Sequence, residues 1–320
     1  CSDENRGANV EERIERHINI LDGRLFLAVE SDNLKFLYGL TREGIKLDLS
    51  VTRQFAELLG NPQNDFRSFH VAGTNGKGST SALIYNILRR KYHTGLYTSP
   101  HLERFNERII FDRELIPDQY IEEFTGKYRD IIIRLGRLDS TNIITPEASV
   151  ITQIGYEHAD KLGCSLTSIA YEKGGIIKPG KPIVLGDSKP EVVNTITRIA
   201  SVRNSPLKLA WKDASVSDLE TNIDGSSFIL ETPRDRYRIS TSLPGRFQVR
   251  NIASAVLAIE SVDDLRITKG QIEKGIKSTR WPGRMEIIRR NPTLMVDCAH
   301  NPPAANALVN SLADLHVQDP

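Results

Sequence analysis

A short run of small and polar residues, VAGTNGKGS at positions 71–79, carries the clearest chemical signal in the chain. It follows residues typical of the end of a buried strand and leads into apolar positions at helical spacing. Such a turn lets backbone N–H groups and the helix dipole face an anion, while Lys77 reaches the outer phosphates. The run departs from the common pattern because Val71 takes the first glycine position and Gly78 separates Lys77 from Ser79.

This run predicts a phosphate-binding loop whose contact residues are Asn75, Gly76, Lys77, Gly78 and Ser79. The alternative is an ordinary glycine-rich turn with a solvated lysine. The order of strand, turn and helix favours the phosphate site, because all three parts stand where the mechanism needs them.

The composition indicates an ordinary globular protein. The 320 residues are 39% hydrophobic and 26% charged with a net charge of +1, which argues against nucleic-acid binding driven by bulk charge. No apolar run approaches the roughly 18–20 residues that cross a bilayer. The cysteines Cys1, Cys164 and Cys298 form no C-x-x-C pair, so a reducing cytoplasm is expected. A chain that starts at Cys1 is expected to be a fragment or a processed product.

The apolar patterns predict an α/β fold. Residues up to about 66 read as largely helical, with amphipathic spacing over 10–21 and 49–59. Strands predicted at 95–99, 150–154 and 182–185 alternate with helices, which is typical of a parallel sheet with covering helices. Short strands over 207–242 predict an antiparallel insert. Helices at 248–261 and 269–278, a strand at 294–297 and a helix at 303–315 complete the prediction.

Eight motifs in order give the chain a resemblance to a known family. They are HVAGTNGKGST (70–80), GLYTSPHL (95–102), RLDSTN (137–142), IGYEH (154–158), EKGGIIKPG (172–180), LPGRFQ (243–248), WPGR (281–284) and DCAHNP (297–302). Together they resemble the dihydrofolate synthase/folylpolyglutamate synthase family, a branch of the ATP-dependent Mur-type amide ligases. Any one motif could arise by chance, but eight in sequence could not.

The resemblance implies a reaction and its partners. ATP phosphorylates a substrate carboxylate, the amine of L-glutamate attacks the acyl phosphate, and an amide forms as phosphate leaves. The implied cofactors are ATP and Mg²⁺, and the implied substrates are L-glutamate with dihydropteroate or a reduced folate. A cytoplasmic monomer without nucleic-acid or membrane partners is expected.

Three residues match the family's metal-binding positions. Ser99 resembles the hydroxyl that binds magnesium, although a serine before proline is otherwise a common turn residue. His158 resembles the ligand of a second magnesium, although imidazole is an unusual ligand for a hard cation. Lys173 matches a lysine that is carbamylated in the family, and carbamylation would make it able to bridge metal ions. Its alternative is an exposed helical lysine.

The remaining nucleotide contacts lie later in the chain. Asn251, Arg284 and Asp297 resemble the family's ATP-contacting residues, and His300 with Asn301 is expected to shape the same loop. Asn251 could instead be a polar residue at a helix start. An aspartate at the end of a strand of an α/β sheet points into the crevice where ligands bind, which supports Asp297 independently.

The chain departs from the family in two places. A helix and a strand that precede the RLDSTN segment in the family are missing, and Ile131 stands where the magnesium-binding glutamate would align. The chain also stops at Pro320, so most of a Rossmann-like C-terminal domain is expected to be absent. The predicted organisation is a ligase domain over 1–282 (1–66 helical, 67–206 P-loop core, 207–242 insert, 243–282 helical) and the start of a C-terminal domain over 283–320.

These departures leave three functional hypotheses. The leading one is a folate-type glutamate ligase, or the remnant of one, with little turnover. The second is a Mur-type ligase for another carboxylate. The third is a non-catalytic nucleotide-binding protein, which Ile131 supports directly.

Overall fold

The computed structural model describes residues 19–21, 24–26, 31–40, 49–135, 141–156 and 165–315. Its strands are β1 (Asn19–Leu21), β2 (Arg24–Phe26), β3 (Phe69–Ala72), β4 (Gly95–Tyr97), β5 (Ile109–Phe111), β6 (Glu114–Leu115), β7 (Ala148–Ile151), β8 (Ile183–Leu185), β9 (Leu207–Leu209), β10 (Ser215–Asn222), β11 (Gly225–Glu231), β12 (Arg236–Thr241), β13 (Glu286–Arg290) and β14 (Thr293–Val296). Its helices are α1 (Asp32–Leu40), α2 (Ser50–Leu58), α3 (Lys77–Leu88), α4 (Asp118–Leu135), α5 (Leu166–Lys173), α6 (Pro190–Val202), α7 (Arg246–Glu260), α8 (Lys269–Lys277) and α9 (Pro302–Asp314).

The central element is a parallel sheet with the strand order β3-β7-β8-β9. Successive side chains of its strands point to opposite faces and feed two separate cores. Val150 and Val184 pack with α3, α7 and α8 on one face. Ile151 and Ile183 pack with α5 and α6 on the other. Both faces are therefore covered by helices, and the predicted α/β class is confirmed.

The antiparallel insert is smaller than the sequence predicts. Strands β10, β11 and β12 form an antiparallel sheet whose inner face contributes Phe228, Leu230 and Ile239 to the first core. The assignment of β9 to this insert is wrong, because β9 pairs in parallel with β8 as the last strand of the central sheet. Leu207 and Leu209 pack against the second core, and this burial holds β9 in the larger sheet.

The predicted helix over 10–21 is wrong at its end. Residues 19–21 form β1, which pairs antiparallel with β2 in the register Leu21↔Arg24. The sequence between them is Asp-Gly, which is among the strongest short signals for a hairpin, and it outweighs the helical spacing of the apolar residues. Residues 10–18 lie outside the described residues. The helix predicted over 49–59 is confirmed as α2.

One edge of the parallel sheet is β3, the strand that leads into the glycine-rich run. Among the described residues, β3 pairs with β7 alone. Strand β4 was expected in the parallel sheet, but it belongs to a separate antiparallel sheet with β5 and β6. Helix α4 follows, and in the described ranges no further strand stands between it and β7. This arrangement agrees with the prediction that a helix and a strand are missing before residue 137.

The last described segment is a β-hairpin followed by a helix. The strand predicted at 294–297 is present as β14, paired antiparallel with β13, and the predicted C-terminal helix is α9. Within the described part of the chain, every helix is too short or too polar to cross a bilayer.

Candidate nucleotide-binding site

The glycine-rich run forms a tight loop between β3 and α3. Gly76 caps α3 with a φ of 88°, in the left-handed region that favours glycine. A Cβ atom at Gly76 would lie 2.4 Å from Oδ1 of Asn251, so a side chain there meets helix α7 directly. The Lys77 ammonium folds back and donates to the carbonyl oxygens of Gly73 at 2.8 Å and Thr74 at 2.7 Å.

The end of the neighbouring strand fixes this loop in place. The backbone N–H groups of Thr74 and Asn75 both donate to the carbonyl oxygen of Gln153, at 2.8 and 3.2 Å. The Thr74 hydroxyl donates to the carbonyl of Gly155 at 3.2 Å and accepts from its N–H at 3.1 Å. The loop is therefore held at a fixed distance from the carboxyl end of β7, which is the edge where ligands bind in parallel sheets.

Most of the site residues proposed from the sequence line one cavity of about 2010 Å³. Those that line it are Asn75, Gly76, Lys77, Gly78, Ser79, Ser99, Asn251, Arg284, Asp297 and His300. These residues come from β3–α3, the end of β4, helix α7 and the hairpin before α9. The fold thus brings four separate stretches of the chain to one place.

Helix α7 contributes a buried polar chain to the floor of the cavity. Gln248 is fully buried; its Nε2 donates to the Ser79 hydroxyl at 3.4 Å, and its Oε1 accepts from Nδ2 of Asn251 at 2.9 Å. This orientation leaves Oδ1 of Asn251 facing Gly76. Because α7 buries nearly all of its residues in the first core, these polar groups are rigidly placed.

The C-terminal hairpin supplies the opposite wall. Oδ2 of Asp297 accepts from the backbone N–H of Met285 at 2.9 Å, and Nδ1 of His300 lies 2.8 Å from the Cys298 carbonyl. The Arg284 guanidinium donates to the Gly283 carbonyl at 2.8 Å. The sequence argument placed Asp297 at the end of a strand of the α/β sheet, but β14 pairs antiparallel with β13 in a hairpin outside the central sheet. Asp297 reaches the cavity because residues that flank the hairpin contact the phosphate-binding loop, Trp281 at Gly78 and Asn301 at Asn75.

The residues proposed as metal ligands do not come together in the described structure. Ser99 lines the cavity, but Lys173 stands in the last turn of α5 and is not among the lining residues. His158 lies outside the described residues, and Ile131 is in helix α4, away from the cavity lining. In the ranges that the structure describes, there is no group of three or more His, Cys, Asp or Glu residues that could hold a metal ion.

Three arginines that the sequence argument did not select also line the cavity: Arg104, Arg246 and Arg250. Arg246 forms an ion pair of 2.7 Å with Asp314 of α9. Arg246 stands inside the LPGRFQ motif, so the motif itself was the available signal. Arg104 and Arg250 carried no such signal, because only the fold brings them to the cavity. Together with Lys77 and Arg284 they give the cavity cations suited to phosphate groups.

A carboxylate shapes the loop that follows Ser99. Burial by itself would raise the pKa of Glu107, but N–H groups of Leu102, Arg104 and Glu103 donate to it at 2.7, 2.7 and 3.0 Å. These hydrogen bonds outweigh burial and hold the pKa of Glu107 below its ordinary value. Glu107 therefore stays ionised at neutral pH and fixes the turn between β4 and β5.

The front of the cavity is apolar and aromatic. It is lined by Leu34, Tyr38, Phe105, Ile110 and Leu115. The rings of Tyr38 and Phe105 meet edge to face with their centroids 6.1 Å apart. Such a wall suits a flat, apolar portion of a ligand, whereas the opposite end of the cavity suits its phosphates.

Comparison with known proteins agrees with this arrangement. The profile of the Mur ligase middle domain matches residues 71–259. Dihydrofolate synthase/folylpolyglutamate synthase of Bacillus subtilis is 32% identical over 325 residues, covering 88% of this chain and 75% of that protein. Folylpolyglutamate synthase of Lacticaseibacillus casei is 33% identical over 303 residues, covering 81% and 71%.

Solved structures match as well. The apo form of L. casei folylpolyglutamate synthase has a TM-score of 0.82 at 30% identity, covering 89% of this chain and 80% of that chain. A folylpolyglutamate synthase complex with AMPPCP and folate has a TM-score of 0.81 at 30% identity, covering 90% and 81%.

The alignment with the B. subtilis protein also bears on the missing segment. It spans 325 positions, whereas 88% of 320 residues is about 282, so about 43 positions of the relative face a gap in this chain. Added together, these gap positions are enough for a helix and a strand. With matching motifs, fold and cavity, the chain belongs to the dihydrofolate synthase/folylpolyglutamate synthase family of Mur-type ligases.

Proposed function

We propose that this chain binds ATP in the cavity between the phosphate-binding loop, helix α7 and the C-terminal hairpin, and that its site derives from an ATP-dependent ligase adding L-glutamate to a pteroate or folate carboxylate. The observation that carries the proposal is the meeting of Lys77, Asn251 and Asp297 at one cavity. The substrate class rests on the relatives, which are dihydrofolate and folylpolyglutamate synthases.

The chain's own residues account for nucleotide binding. Backbone N–H groups at the start of α3 face the phosphates, and the helix dipole adds to their attraction. Lys77 exchanges the carbonyl oxygens of Gly73 and Thr74 for phosphate oxygens. Arg250 and Arg284 add positive charge where phosphate charge develops during transfer. The aromatic front of the cavity would hold the flat ring of a pteroate-type substrate.

Within the described ranges, no magnesium site is built from three or more His, Cys, Asp or Glu residues of the protein. Magnesium is usually bound by one or two carboxylates together with phosphate oxygens and water. Ser99 lines the cavity, but no carboxylate accompanies it in a metal-binding group within the described ranges. We therefore assign no reaction step to a metal held by the protein, and we expect magnesium to enter with the nucleotide phosphates. The carbamylated Lys173 and His158 remain proposals for the metal side.

A phosphate-release assay tests the proposal. The 320-residue chain is incubated with MgATP, L-glutamate and either dihydropteroate or tetrahydrofolate, and omission of each component in turn is the control. Slow release that requires all three components supports a weakened folate-type ligase. Release that requires glutamate but neither pterin would mean that a carboxylate of glutamate itself is phosphorylated, which would contradict a pteroate or folate substrate.

A second function is favoured by the sheet edge. Because β3 pairs with β7 alone and no group of three or more His, Cys, Asp or Glu residues gathers in the described ranges, a nucleotide-binding protein without turnover is the competing proposal. It predicts nucleotide binding with no substrate-dependent release. We further infer a monomer that acts on small molecules in the cytoplasm, which gel filtration and fractionation would test.

A further inference from the structure

Two asparagines from distant parts of the chain face each other beside the cavity, which Asn75 lines. Nδ2 of Asn75 donates to Oδ1 of Asn301 at 3.1 Å, and Nδ2 of Asn301 donates to Oδ1 of Asn75 at 3.0 Å. The pair is part-buried and joins positions 226 residues apart. It connects the phosphate-binding loop to the residue immediately before helix α9.

Asn301 has a second role that fixes the orientation of its amide. Its Oδ1 also accepts from the backbone N–H of Ala304 at 3.0 Å, which makes Asn301 the N-cap of α9. If the amide of Asn301 were flipped, its Nδ2 group would face the backbone N–H of Ala304, and two hydrogen-bond donors would oppose each other. The oxygen must therefore face the helix, and the Nδ2 group is left to donate to Asn75.

The other contacts of α9 lie elsewhere. Asp314 in its last turn pairs with Arg246 at 2.7 Å, and the buried Ser311 lies beside Gly245. At the first turn, Pro303 packs against Gly155 without a polar contact. Among the contacts described, the asparagine pair is thus the polar contact between the start of α9 and the phosphate-binding loop.

We propose that the Asn75–Asn301 pair is a positioning contact, which holds the first turn of α9 and the adjoining loop against the phosphate-binding loop. Asp297 and His300 stand on this loop and line the cavity, so their placement depends on the pair. The first part of the proposal concerns the nucleotide-free fold alone. The second part, that the pair strengthens nucleotide binding, rests on the function proposed above.

Hydrogen–deuterium exchange of the nucleotide-free chain tests the first part. Asn75→Ala removes the pair without touching α9, and Asn301→Ser keeps a hydroxyl oxygen to cap the helix while its shorter side chain loses both hydrogen bonds to Asn75. Each variant should speed amide exchange in the first turn of α9 by roughly two- to tenfold, the factor that one net hydrogen bond commonly supplies. The last turn should stay as in the wild type.

Asp314→Asn is the matched control, because it removes the ion pair at the far end of the same helix. It should speed exchange in the last turn and leave the first turn unchanged. Unaltered first-turn exchange in Asn75→Ala would overturn the proposal. Faster exchange over the whole chain in Asn75→Ala would overturn it too, because that result shows general destabilisation rather than a local contact.

A double-mutant cycle with the non-hydrolysable analogue AMPPCP tests the second part by calorimetry. If the pair acts as a unit, Asn75→Ala and Asn301→Ser should each weaken binding several-fold, and the double variant should be little weaker than Asn75→Ala. Fully multiplicative losses would overturn this part. If the wild-type chain bound no nucleotide, the proposed function would fail, and the exchange result would still decide the positioning role.

Discussion

The two sides of the phosphate-binding loop differ in how completely they are built. On one side, which we call the complete side, β7, β8 and β9 continue the parallel sheet, and α7 brings Gln248 and Asn251 against the loop. On the other side, which we call the incomplete side, β3 has no strand beside it in the described residues, and β4 belongs to another sheet. Asn251 contacts the loop from the complete side, whereas Ser99, the proposed metal ligand that lines the cavity, follows β4 of the separate sheet.

This difference shows that nucleotide binding and catalysis depend on separate parts of the fold. Binding uses the loop, the helix dipole and side chains from α7 and the C-terminal hairpin, all of which are in place. Catalysis needs, in addition, a carboxylate that holds the metal at the phosphates. The comparison is sharpened by variants that act on one side and leave the other unchanged.

The largest effect is expected from repairing the incomplete side. Inserting the helix and strand of a relative before residue 137, with its glutamate, should raise turnover by at least about 10²–10³-fold, the size of a lost electrostatic contribution to a transition state. Phosphate release by the two proteins provides the comparison. Turnover by the unmodified chain equal to that of the relative would show that the gap is harmless.

The second prediction concerns His70 on the edge strand β3. His70 is 8% exposed, and burial, followed by the charge of Lys178, lowers its pKa from 6.5 to about 4. The folded chain therefore favours the neutral ring, whereas the unfolded chain binds a proton below about pH 6.5. This contribution to stability is complete above that pH and is lost as the pH falls towards 4.

Urea unfolding at about pH 7 and pH 4.5 measures this contribution. Between these values the wild type should lose about 2 kcal/mol more free energy of unfolding than His70→Gln, because the variant has no ring to protonate. Comparing the two proteins cancels the carboxylates that titrate in both. Equal losses would mean that the ring is not held neutral at the sheet edge.

The third prediction concerns Lys77 on the complete side. Lys77→Ala should weaken nucleotide binding by about 1.5–3 kcal/mol, the value of a charge-assisted hydrogen bond. Lys212→Ala is the matched control, since Lys212 is exposed and does not line the cavity. Calorimetry that gave the same affinity for Lys77→Ala and the wild type would contradict the assignment of the loop.

The smallest effect is expected at Lys173. If this lysine is carbamylated, magnesium affinity in the presence of nucleotide should rise when bicarbonate is added, and gentle mass spectrometry should show the adduct. Because Lys173 does not line the cavity in this structure, we expect a change of only a few-fold. Lys173→Arg removes the modifiable amine, so a bicarbonate effect that persisted in this variant would place the effect elsewhere.

Local signals made the phosphate-binding loop and most helices predictable. The loop lies between one strand and one helix, so its geometry follows from adjacent residues. The pairing of β9 with β8 and the separate sheet of β4 were not predictable in this way, because they depend on which strands are available as neighbours.

The candidate site shows the same division. Residues inside motifs, such as Asn251 and Asp297, were found from the sequence and line the cavity. Arg250 and the pairing of Asn75 with Asn301 were not found, because each depends on elements that meet only after folding. The aromatic wall around Tyr38 and Phe105 also requires α1 to pack beside the loop after β4.

The central claim is that the complete side binds nucleotide, whereas the incomplete side limits turnover. A calorimetric titration of the 320-residue chain with AMPPCP and magnesium tests it most directly, because the analogue needs no catalysis. Binding of one nucleotide per chain is the predicted result. A titration without measurable binding by a folded chain would contradict the claim.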